Sequence, residues 1–70
     1  MHDRLKQLVS EMVDKGICFA DAQREFEKHF ISRVVSQCDG NLGKAATTLG
    51  VHRNTLTRKI QELKIRTSLR

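Results

Sequence analysis

Between Leu49 and Ile60 the chain reads LGVHRNTLTRKI, a run dense in hydrogen-bond donors and positive charge. Arg53 and Arg58 carry guanidinium forks, Lys59 an ammonium, Asn54 an amide, and Thr55 and Thr57 hydroxyls. Groups of this kind bind anions and planar hydrogen-bonding edges. They do not supply the chemistry of bond breaking. No paired carboxylates, Ser-His-Asp arrangement or phosphate-cradling glycine loop accompanies them, and so short a helical chain has little room for a concave pocket, so an enzyme is not expected. His2, His29 and His52 stand apart from one another and from Cys18 and Cys38, without the close pairing a zinc site needs. The sequence therefore implies no metal, no cofactor and no small-molecule ligand. His29 reads as a surface or partly buried histidine, and Cys38, which continues an apolar stripe, as a buried free thiol.

The elements that position this run follow from the apolar spacing. Leu5, Leu8, Val9, Met12 and Val13 make the i, i+3, i+4, i+7, i+8 stripe of an amphipathic helix over 3–15, which Gly16 stops. Ile17, Cys18 and Phe19 form a short apolar connector expected to pack inward. A second helix is predicted over 20–38, with Ala22, Phe26, Phe30, Ile31, Val34, Val35 and Cys38 apolar. This stripe is wide enough for more than one buried face, and Asp39-Gly40 closes it. Asn41 stands where an N-cap belongs, and a short third helix covers 42–49. A fourth runs over 53–63, with His52 or Asn54 assisting its start. The tail from Lys64 to Arg70 is polar and basic, and is expected to fray apart from Ile65.

With no proline and four glycines, three of them separating periodic segments, the chain reads as all-α. Seventy residues make one small domain, which buries only about 60% of the surface its unfolded form exposes. Two cysteines cannot build a disulfide framework, so oligomerisation is the expected source of extra stability. No apolar run approaches the ~20 residues that span a bilayer, and the start lacks a signal-peptide core. A soluble, cytoplasmic protein with no membrane partner is expected.

Charge divides the chain. Residues 1–40 hold six Lys/Arg against seven Asp/Glu, whereas residues 41–70 hold seven Lys/Arg against Glu62 alone. A solubilising surface mixes both signs; the second half does not, which points to a polyanion.

The third and fourth helices have helix-turn-helix spacing. Ala46 lies where the helices cross closely. Gly50, four residues on, occupies the turn position that needs φ > 0. Val51 fills the corner, Leu56 anchors the second helix inward, and Ile60 and Leu63 continue that face, opposite Leu42, Ala45 and Leu49. Arg53, Asn54, Thr57, Arg58 and Gln61 must then look largely to solvent, with Thr55 and Lys59 at the flanks. In helix-turn-helix docking the N-terminal residues of the second helix meet base edges in the major groove of double-stranded DNA. Arg53 suits guanine O6/N7, Asn54 an adenine or a phosphate, and Thr55 a phosphate or a thymine methyl. Arg58 and Lys59, further along, suit the phosphate backbone, and Asn41 with Lys44 suit a phosphate at the start of the third helix.

The segment EFEKHFISRVVSQCDGNLGKAATTLGVHRNTLTRKIQEL, Glu25 to Leu63, resembles the Fis-type DNA-binding domain, which also closes enhancer-binding activators of the nitrogen-regulator class. The likeness rests on FEKHFI, on GN before the motif, on KAATTLGV and on RNTLTRKI. It covers a little over half the chain closely and the first helix loosely. It implies a four-helix Fis-like domain with a C-terminal helix-turn-helix, dimerised through its first two helices. Residues 1–40 would then be dimerisation helices, 41–63 the helix-turn-helix and 64–70 a basic tail. Leu8, Met12, Phe26, Phe30 and Val34 would form the dimer core. Arg53, Thr55, Arg58 and Lys59 match family positions that touch DNA. His52 departs where Fis itself has asparagine, and Thr57 stands where it has a basic residue, so sequence preference is expected to differ.

The reading is a DNA-binding transcriptional regulator, homodimeric and associated with the nucleoid. The alternatives are an architectural DNA-bending protein of weak sequence preference, and a helical interaction module whose basic face meets an acidic protein. Nothing in the 70 residues reads as an ATPase module, a receiver domain or an N-terminal β-hairpin arm. A first helix beginning almost at Met1 favours a complete short protein over an excised domain.

Overall fold

Residues 2–65 are described by the computed structural model, and among them every regular element is helical. The helices are α1 (His2–Asp14), α2 (Phe19–Gln37), α3 (Leu42–Leu49) and α4 (Arg53–Leu63). The predicted boundaries of α3 and α4 coincide with these, and those of α1 and α2 move by one residue. The expectations for Arg66–Arg70 lie outside the described residues.

The core belongs to α2, α3 and α4. Ile31, Val34, Val35 and Cys38 from α2 and its end meet Ala45 and Ala46 of α3 and Leu56 and Leu63 of α4. Leu42, Leu49 and Ile60 pack around this cluster. Ala45 and Ala46 are both buried, because two short helices can cross closely only where their side chains are methyls. Leu56, only 1% exposed, fills the centre. Fully burying a leucine contributes about 1.5–3 kcal/mol, a large share for a chain this size.

The ends of α3 and α4 are closed by local hydrogen bonds. Asn41 Oδ1 accepts the Lys44 backbone N–H at 3.1 Å, so the predicted N-cap of α3 is in place. Gly50 adopts φ 76°, and the Val51 N–H reaches back to the Ala46 carbonyl at 3.0 Å. This six-residue closure turns the chain from α3 into α4. A similar closure ends α4: Lys64 takes φ 54° and the Ile65 N–H bonds the Ile60 carbonyl at 3.0 Å. The closure folds Ile65 back onto the core, where it is buried.

Two expectations about the corners need correcting. Val51 does not fill the turn: its backbone N–H is tied inward while its side chain is 41% exposed, and Leu49 packs inward there instead. The connector at 17–19 does not pack inward either. Phe19 opens α2 and is 83% exposed, with Ile17 and Cys18 exposed beside it, because none of the described residues covers that side.

Helix α1 buries no residue. Its Leu5, Leu8, Val9 and Met12 face Phe19, Ala22, Phe26 and Phe30 of α2 across an open apolar groove of about 750 Å³. Phe26 and Phe30 remain 59% and 50% exposed, with ring centroids 5.3 Å apart. Among the residues expected in a dimer core, Leu8, Phe26 and Phe30 are thus uncovered and Met12 half-buried. Val34 differs: one helical turn on from Phe30, it is already buried among its own chain's side chains.

The contrast between two corner residues is testable. In urea denaturation, Leu56→Ala should lower unfolding stability by about 2–5 kcal/mol and Val51→Ala by under about 0.5 kcal/mol. Equal losses would contradict this core.

Candidate nucleic-acid interface

With Leu56 and Leu63 buried and Ile60 packed beside them, the rest of α4 is sorted by face. Arg53, Asn54, Arg58 and Gln61 are exposed, as their positions relative to Leu56 require. Thr55 and Thr57 are half-buried, so Thr57 faces solvent less than expected. Its hydroxyl donates to the Arg53 carbonyl at 3.1 Å, one turn back. That bond uses its only proton, leaving Thr57 as an acceptor in this rotamer.

The start of α4 is closed by His52. Its Nδ1 accepts the Asn54 backbone N–H at 3.1 Å, with φ −71° and ψ 146°, the extended conformation of an N-cap. Of the two residues left open for this role, His52 takes it, and the Asn54 side chain stays exposed. With Nδ1 accepting, the donor this ring has for an outside partner is Nε2–H.

At the start of α3, Asn41 and Lys44 are both exposed. The amide oxygen of Asn41 is committed to the cap, which leaves its NH₂ group for an outside acceptor. Lys44 is available as a cation, though its carbonyl accepts the Thr48 hydroxyl at 3.0 Å.

Arg58 and Lys59, adjacent in sequence, have different fates. Arg58 lies 4.0 Å from Glu62 with both side chains well exposed, an ion pair too loose and too wet to hold it. Lys59 Nζ instead donates to Glu27 Oε1 of α2 at 2.9 Å. Lys59, expected from the sequence to meet a phosphate, here turns its ammonium toward the scaffold. Glu27 and Gln23, which donates to the other carboxylate oxygen at 3.2 Å, make a contact with α4 that the sequence alone does not announce. The four-residue spacing of Gln23 and Glu27 was visible, but their partner lies 32 residues on from Glu27. The hydrogen bond from Lys59 holds the Glu27 carboxyl below its ordinary value, against an opposing push from partial burial.

Among the described residues no group of three metal-ligating side chains converges, and no helix is long and apolar enough to cross a membrane. Cys38 is buried and unpaired in a disulfide, its sulfur 3.9 Å from the Thr48 hydroxyl.

Comparison with known proteins bears on this geometry. The model for the family described as "Bacterial regulatory protein, Fis family" matches residues 22–63, which takes in most of α2 and all of α3 and α4. A "Putative Fis-like DNA-binding protein" of Xylella fastidiosa strain Temecula1 is 44% identical over 39 residues, 56% of this chain and 43% of that protein. Its counterpart in strain 9a5c is 42% identical over 38 residues, 54% of this chain and 42% of that protein. A "Signal-transduction and transcriptional-control protein" of Clostridium beijerinckii is 37% identical over 57 residues, 70% of this chain but 9% of that protein. The chain thus spans under half the length of these relatives. No solved structure matches it.

The lowered Glu27 value has a definite consequence for stability. A carboxyl whose pKa falls on folding adds stability that is full above the unfolded value, about 4.3 for glutamate, and is lost as pH drops through the folded value. Wild type should therefore exceed Glu27→Gln in unfolding stability at pH 6, and the gap should close progressively as the pH falls below about 4. A gap independent of pH over that range would mean the charge of Glu27 is not involved.

Proposed function

This chain belongs to the Fis family of bacterial regulatory proteins, and from that premise we propose that it reads double-stranded DNA as a homodimer, sequence-selectively, through α4. The observation that carries this reading is the sorting of α4. Its apolar line is sunk in the core, and Arg53, Asn54 and Arg58 stand exposed at and beyond its capped N-terminus. The printed names of the relatives, Fis-like DNA-binding and transcriptional control, point the same way.

In the proposed complex α4 enters the major groove. Arg53 forks onto a guanine edge, and Asn54 and Thr55 meet an adjacent base or phosphate. The Nε2–H of His52 reaches an acceptor beside them, and Thr57 offers its oxygen. Arg58, Asn41 and Lys44 neutralise backbone phosphates, which fixes register without reading sequence. The neutral first half contributes no comparable attraction.

The homodimer is supported by what the single chain leaves undone. Leu5, Leu8, Val9, Phe26 and Phe30 are all exposed, lining one groove, and a contiguous apolar surface of this kind marks an interface. A second copy placing its own α1 and α2 there would complete a four-helix core and present two copies of α4 to successive half-sites one helical turn apart. Residues 1–40 then serve dimerisation and 41–63 recognition.

Sites selected from a random DNA pool provide the test, with selected and scrambled duplexes titrated at fixed salt. Arg53→Ala should weaken the selected site by about 1–3 kcal/mol and leave scrambled DNA nearly unchanged. Arg58→Ala should weaken both alike and reduce the slope of log affinity against log salt by about one. Equal affinity of wild type for both duplexes would favour an architectural protein, and DNA binding untouched by either substitution would favour an acidic protein partner.

Sedimentation equilibrium at micromolar concentration should give twice the 8.0 kDa chain mass, with Phe30→Asp shifting it to the monomer. A wild-type monomer would remove the dimer from the model.

A further inference from the structure

The tie between Lys59 and Glu27 joins α4 to α2 outside the apolar core, and DNA reading as proposed above does not use it. We infer that Glu27 is a positioning residue for recognition: by holding the Lys59 ammonium it sets the roll of α4 about its own axis, and so the direction in which Arg53 and Asn54 point. This inference rests on the DNA-binding reading of α4.

The geometry separates this pair from an ordinary surface contact. Lys59 Nζ lies 2.9 Å from Glu27 Oε1, and the two side chains are 36% and 23% exposed. Gln23 Nε2 donates to Oε2, so both carboxylate oxygens are engaged. Arg58 offers the comparison on the same helix: its partner Glu62 is on α4 itself, at 4.0 Å, and cannot orient the helix against anything. Partial burial also shields the Glu27 pair from the salt that screens an exposed one.

Mechanics explain why such a tie is needed. Leu56, Ile60 and Leu63 lie along one line of α4, at i, i+4 and i+7. A single line of anchors fixes the distance of a helix from its neighbours better than its roll. Lys59, three residues after Leu56 and four before Leu63, stands beside that line. At a helix radius of about 5–6 Å, a roll of 20° moves side chains by about 2 Å. A productive contact tolerates only about 0.5 Å. Backbone phosphate contacts, made by flexible cations, tolerate more.

Two readings of Lys59 therefore predict opposite signs for Glu27→Gln, which removes the charge and keeps the shape. If Glu27 positions α4, affinity for the selected duplex should fall about tenfold. Affinity for scrambled DNA should hold or rise slightly, and the salt slope should stay unchanged. If Lys59 is a phosphate contact held in check, its release should tighten binding to both duplexes and steepen the slope by about one, which overturns the inference. A lowered melting temperature with an unchanged ratio of selected to scrambled affinity would also overturn it, since the pair would then be structural only. The charge exchange Glu27→Lys with Lys59→Glu keeps the test decisive should Glu27→Gln unfold. The exchange should restore the ratio to near that of wild type, and a folded exchange variant that does not discriminate counts against the inference. Wild type is measured first. Failure of wild type to discriminate sinks the parent reading, whereas a discriminating wild type with an indifferent Glu27→Gln sinks only this one.

Discussion

How closely α4 can approach α2 and α3 governs what the second half of this chain shows to the outside. The approach depends on methyl-sized side chains at Ala45 and Ala46, on the left-handed turn at Gly50, and on Leu56 entering the space they leave. A larger residue at either alanine would lift α4 away and withdraw Leu56 from its site. A β-carbon at position 50 would find open space but a backbone conformation that L side chains resist. From this one seat follow the exposure of Arg53, Asn54 and Arg58 and the closure that carries Ile65 back onto the core.

Polar groups in the second half hold the scaffold and remain available to a partner at once. Asn41 caps α3 with its oxygen and keeps its NH₂ free; His52 caps α4 through Nδ1 and keeps the Nε2 proton. In both cases the cap settles which half of the side chain faces outward, and therefore whether it can donate or accept. Thr57 is settled in the opposite sense, its proton given to the Arg53 carbonyl. A protein of this size has few side chains to assign, and one that caps a helix cannot change without disturbing that helix end.

The first half works by a different rule. Its apolar residues exceed what one chain can cover, and they gather along α1 and one side of α2 while the other side of α2 serves the core. The width of the α2 stripe announced two apolar sides, but spacing could not divide them. Val34 reads like Phe30 in a helical pattern, four residues apart, yet one lies in the core and the other is uncovered. The division is made by where α3 and α4 land, and their landing depends on contacts far apart in sequence. The connector at Phe19 went unread for the same reason: its apolar character suggested burial, and none of the described residues lies over it.

Local chemistry acts over one to four residues, and there the sequence by itself was sufficient. It determined the four helices, the cap at Asn41, the turn at Gly50, the inward Leu56 and the uneven charge. Each of these depends on backbone preference, a nearest helical neighbour or simple composition. Only the tertiary structure decided which of two adjacent cations stays free. Arg58 and Lys59 are alike on paper, and residue 27 separates them from 32 positions away. It also decided that His52 caps α4 and that Val51 stays at the rim. The choice among groups of equal local fitness depends on what stands opposite them, and only packing brings those opposite groups near.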